Sequence, residues 1–154
     1  MATTNEILEA VRSRLEELPL SAEFWPEEEK EYYLAHPIGA ALVGYAGAAY
    51  GPSRDTGVVI QRREISLPVI LVFRQLNGPD GAVDMTDRVR KLLVGFRPPD
   101  CGRMRMSTER FAGQSSGLWW YELIFAVDGI LVEATEFEDG PKLKQLDFES
   151  GVNP

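Results

Sequence analysis

QRREISLPVILVFRQL, from Gln61 to Leu76, is the stretch on which the architecture turns. Ile65, Leu67, Val69, Leu71 and Phe73 alternate with Ser66, Pro68, Ile70, Val72 and Arg74. That period of two predicts a strand. Sixteen residues extended at about 3.3 Å each reach roughly 50 Å. A compact chain of 154 residues has a radius of gyration of about 15 Å and is roughly 40 Å across. A straight strand of this length outruns its own domain. Pro68 adds a second constraint, because a proline cannot donate to a ladder and is confined to an edge, a strand start or a bend. The segment is therefore expected at a sheet edge, either folded at Pro68 or projecting past the core.

The flanking sequence predicts helices on both sides. In TNEILEAVRSRLEEL, Ile7, Leu8, Val11, Leu15 and Leu18 share one helical face, and Thr3 with Glu6 fits a capping box. Pro19 should end that helix. PEEEKEYYLAHP, Pro26 to Pro37, predicts a shorter second helix with acidic residues in its first turn. GAALVGYAGAAYG, Gly39 to Gly51, has the small residues of a strand with close backbone approach. LNGPDG breaks the chain after the opening stretch. A third helix is expected over 82–94, with Met85, Val89, Leu92 and Leu93 inward, Asp80 as cap and Gly95 after its end.

Two strands complete the pattern. RMRMSTERF alternates at Met104 and Met106 and then loses phase before Phe111, which predicts a bulge. GQSSG is the expected turn. LWWYELIFAV is apolar on both faces apart from Glu122, as a covered central strand should be. Its Trp119 or Trp120, Tyr121, Leu123 and Phe125 should pack on the Leu8/Val11/Leu15 or the Val89/Leu92/Leu93 helix face. Asp128-Gly129 predicts a turn before a short strand, Ile130 to Val132. The fold class is α+β: a mainly antiparallel four- to five-stranded sheet with helices packed on a face, in one domain over 1–132. Residues 133–154 are acidic and weakly patterned, and are expected to form a flexible tail or arm.

Composition narrows the function. The chain is 44% apolar and 26% charged, with net charge −8 and a pI near 4.7. An acidic surface disfavours gripping DNA, whose affinity comes from Lys and Arg replacing counterions, yet it suits a protein that surrounds DNA without holding it. No run approaches the ~20 apolar residues of a membrane span. MATTNEILEA has neither the basic n-region nor the apolar h-region of a secretory signal. One cysteine and one histidine preclude an intrachain disulfide and the usual Cys/His zinc sites.

No residue set promises chemistry. His36 precedes Pro37 at an expected helix end, where the helix dipole explains it. Cys101 sits beside Asp100, whose charge raises a thiol pKa. GQSSG spells a nucleophile elbow, but a strand follows it where a helix is required. GYAGAAYG lacks both phosphate-loop spacing and a lysine. PEEEKE and EATEFEDG lack the alternating ligands of a calcium loop. Trp119, Trp120 and Tyr121 are successive strand residues that point to opposite faces, so they cannot form one stacking platform. No catalytic, cofactor or metal residue is assigned, and the protein is expected not to be an enzyme.

ALVGYAGAAYG, then QRREISLPVILVFRQLNGPDGAVDMTDRVRKLLVGFRPP, then ERF…GLWWYELIFAV resemble the small tail proteins of Mu-like phages and prophages. The resemblance is to the tail terminator, or tail completion, type. It covers about Gly39 to Val127, and LNGPDGA followed by GFRPP is its most specific part. It implies a structural protein that forms a ring, commonly a hexamer, at the head-proximal end of the tail. Such a ring stops tube and sheath polymerisation and meets the head-to-tail connector while DNA passes through. It implies assembly in the host cytoplasm and a place in the virion tail, with no membrane. The alternatives are another minor tail or baseplate protein, or a small α+β ligand-binding or enzymatic module. The expected subunit contact is the long strand, through Arg62, Arg63, Pro68 and Arg74, with acidic groups of the next copy opposite the arginines.

Overall fold

A computed structural model describes residues 1–28, 32–54 and 57–134. Helix α1 (Thr4–Leu15) starts as its first residues dictate: Glu6 N donates to Thr3 Oγ1 at 3.1 Å, and Thr3 N donates to Glu6 Oε1 at 2.8 Å. Ile7, Val11 and Leu15 are buried, and the helix stops there, one turn before Leu18. Helix α2 (Ala82–Leu93) is amphipathic as expected, but its N-cap is Gly81 rather than Asp80. Asp80 takes a left-handed φ of 64° and accepts from Arg88 at 2.8 Å instead. Gly81 is sterically required there, since a Cβ would sit 2.8 Å from the carbonyl oxygens of Leu76 and Asn77.

Six strands form one mixed sheet: β1 (Ser21–Phe24), β2 (Gly39–Val43), β3 (Gly47–Tyr50), β4 (Ile60–Phe73), β5 (Arg105–Ser115) and β6 (Leu118–Val132). The order is β1-β2-β4-β6-β5, and β3 lies beside β4. β1 runs parallel to β2, and every other pairing is antiparallel. The expected four- to five-stranded, mainly antiparallel sheet is corrected by β1, which is too short for a period to show. The second expected helix is corrected as well. Pro26–Glu28 and Tyr32–Pro37 are not helical, and 29–31 lie outside the described residues. Tyr32 instead donates its hydroxyl to Glu23 at 3.1 Å and sets its ring edge-on to Trp120. Leu34 is buried against the sheet, and His36 Nδ1 accepts from Ile38 N at 3.0 Å. These tertiary contacts outweigh local helix propensity.

The opening stretch is β4, and it is a central strand. All fourteen of its residues pair with β6, from Ile60 opposite Val132 to Phe73 opposite Trp119. The edge expected for Pro68 is therefore corrected. Pro68 is buried opposite Ile124, and the break falls in the neighbouring chain, where Gly44–Ala46 separate β2 from β3. The expected turn at Asp128-Gly129 is likewise absent, because both residues lie inside β6 opposite Glu64 and Arg63. The β5–β6 turn narrows to Ser116 and Gly117, with φ of 55° and 77°, the pair of positive angles a two-residue hairpin needs. The predicted bulge falls between Met106 and Thr108, and a second follows Phe111.

The sheet has two unlike faces. Ile65, Leu67, Val69, Leu71 and Phe73 of β4 and Leu123, Phe125 and Val127 of β6 lie under α1 and α2 in the main core, with Trp119 and Tyr121 packed beside them. Trp120 points the other way, into a smaller cluster with Leu34, Ala40, Leu42 and Val72. That second cluster covers only one end of its face.

Candidate functional site

The chemistry-bearing side chains are engaged in structure. His36 Nδ1 closes a local turn at the entry to β2. Cys101 is buried, and burial raises its thiol pKa. The nearby Arg63 pulls it back down, while Asp100 and Asp128 push it up. Among the described residues no three His, Cys, Asp or Glu side chains cluster as a metal site. No helix among them is long and apolar enough to cross a membrane.

The four expected contact residues have separate fates. Arg62 is exposed and donates to Asp128 Oδ1 at 3.1 Å. Arg63 turns inward, donates to Thr4 Oγ1 at 2.9 Å and Tyr45 Oη at 3.0 Å, and lies over the Tyr45 ring. Arg74 holds the carbonyls of His36 and Leu34 at 3.1 and 2.8 Å. Pro68 is buried between strands. The structure does not gather these four into one patch.

Two other surfaces stand out. One is the far end of the β4–β6 ribbon. Its inner half lies under the helices, but Val59, Ile130, Leu131 and Val132 are 39–48% exposed. Glu133 clips this end: its N donates to Val59 O at 2.9 Å, and its carboxylate accepts from Val59 N at 2.7 Å. Behind the tip, Glu64 stands directly opposite Asp128, a pairing that repels. Arg105 bridges both carboxylates, and Arg62 adds a second cation.

The other surface is a groove of about 480 Å³ between the end of β2 and α1, lined by Leu8, Phe24, Trp25, Val43 and Tyr45 with Asn5, Glu9 and Glu27 at its polar parts. Phe24, Trp25 and Tyr45 are exposed aromatics. Trp25 is pinned: its N donates to Val43 O at 3.0 Å and its Nε1 to Leu42 O at 3.1 Å. Its ring lies against Gly44, where a Cβ would come within 2.3 Å of it. Sequence reasoning missed this groove because β1 went unseen. An aromatic pair, Phe24-Trp25, ahead of Pro26 and an acidic run was its one visible signal.

The Gp37 protein family model matches residues 11–150, from within α1 through β6 and beyond. No curated protein matches the chain. The chain belongs to the Gp37 protein family and is a phage protein.

Proposed function

We propose that this phage protein is a structural component of the tail, the terminator whose copies close into a ring at the head-proximal end. The ring caps the tube and sheath, ends their polymerisation and joins the connector proteins of the head. The observation that carries the reading is the ribbon end, where four apolar side chains lie beyond the cover of the chain's own helices. A surface of that kind marks a protein contact. A ring subunit has a use for it, since each copy covers the next and the rotation closes. The balance of −8 supports a lumen through which DNA passes without sticking. The pattern shared with Mu-like tail terminators and membership of a phage family both favour the reading. Of the residues first expected at the contact, Arg62 remains the one placed to reach a neighbour.

Sedimentation and electron microscopy of the pure protein, alone and mixed with tail tubes, test the proposal. Rings of one size, and tubes capped at one end, are expected. Added salt should loosen the rings without unfolding the subunit, because exposed ion pairs are screened over about 8–10 Å near physiological ionic strength. A protein that stays monomeric in both settings overturns it.

A further inference from the structure

We infer that the end of the β4–β6 ribbon of one copy seats in the Phe24/Trp25/Tyr45 groove of the next. This rests on the ring reading for closure, not for the contact itself. The tip has an unusual requirement. Ile130, Leu131 and Val132 are successive strand residues, so they point to opposite sides of the ribbon. A partner laid on one face would leave the other side wet. A groove that takes the strand end between its walls buries both.

The groove has the matching form. It is concave, walled by three aromatics and floored by Leu8 and Val43. Trp25 is fixed in place by its two hydrogen bonds to β2, so little side-chain freedom is lost on binding. Charge agrees with the pairing. Exposed Arg54 lies beside the tip, joined by its backbone N to Ile60 O, and Glu27 stands at the groove. Neither has an ion-pair partner among the described residues, and each could complete the other.

Position makes the contact head-to-tail. The groove sits at the level of Val43, opposite Val69, while the tip begins at Ile60. Nine residues of strand, about 30 Å, separate them along β4. A chain cannot fill its own groove, and two copies cannot satisfy each other through one shared patch. Such a contact propagates from copy to copy until it closes.

Two full-length variants test this, Leu131→Glu at the tip and Phe24→Glu at the groove, each checked for native circular dichroism. In sedimentation velocity the wild type should assemble, and each variant alone should be monomeric. Their equimolar mixture should give a dimer and nothing larger, because one intact tip then meets one intact groove. A mixture that stays monomeric, or variants that assemble like the wild type, overturns the contact and leaves the ring reading standing. A wild type that never assembles overturns both. Should a variant fail to fold, a photo-crosslinking phenylalanine analogue at position 24 serves instead, with isotope-labelled and unlabelled copies mixed. It should capture the 130–132 peptide of another copy. Capture of 135–154, or of its own chain only, overturns the inference.

Discussion

Pro68 and Gly44 meet at the seam of the sheet, where the Pro68 carbonyl accepts from Gly44 N at 2.9 Å. Val69 faces Val43 and Ser66 faces Gly47, so the two residues between on β4 oppose three on the neighbouring chain. That surplus is a bulge. In an antiparallel ladder a residue's N–H and C=O point to the same side. The donor that Pro68 lacks therefore faces the bulge, where the ladder is already interrupted. A central strand tolerates proline here because its neighbour breaks step beside it.

Gly44 serves the seam and the groove together. Gly44→Ala places a methyl group within 2.3 Å of the Trp25 ring, which must swing away and lose its bond to Leu42 O. Overpacking of this kind costs about 1–3 kcal/mol. Urea unfolding should show that loss, with a red-shifted tryptophan emission. An unchanged midpoint and spectrum would mean that the groove wall is soft.

Phe125 is fully buried in β6 under the helices. Phe125→Ala should cost about 3–5 kcal/mol in denaturant unfolding. Phe111, half exposed on β5 against Trp119 and Tyr121, should cost only about 0.5–1.5 kcal/mol when made alanine. Equal losses at the two sites would contradict the assignment of the covered face.

Arg105 keeps Glu64 and Asp128 from facing each other uncompensated. Arg105→Met retains most of the stem and removes the charge. It should lower stability by about 1 kcal/mol, a surface-scale effect because all three side chains are partly solvated. Adding Asp128→Asn should restore part of the loss, and 1 M salt should shrink the difference. A deficit that ignores both would point to packing of the arginine stem.

Cys101 should behave as a protected thiol. Burial raises its pKa above 9.0, the ordinary thiol value. At pH 8 a thiol reagent should label the native protein far more slowly than the urea-unfolded chain. The same shift has a sign for stability. The unfolded chain releases the proton first, so the contribution is complete below about pH 9 and is lost as pH rises through the folded value. Cys101→Ala should flatten that part of the alkaline stability profile. Fast labelling of the native protein at pH 8 would show that the site opens.

The sequence by itself determined whatever depends on near neighbours along the chain. The Thr3–Glu6 box starts α1, the 3.6-residue stripe of Met85, Val89 and Leu93 makes α2, and strict alternation makes β4. The excess length of β4 was also legible, and its far end does pass beyond the core. Tertiary structure decided which strand sits beside which, and that reversed two local rules. Pro68 reads as an edge residue until the break in the β2–β3 chain is set next to it. Tyr32 and Leu34 read as helical until Trp120, far along the chain, offers them a surface. The tip and the groove are more distant still from any local signal. Each gathers residues far apart in the chain, Val59 with Val132 and Leu8 with Tyr45. Periodicity reports which face of an element is apolar. Only the folded chain shows how much of that face its own atoms can cover.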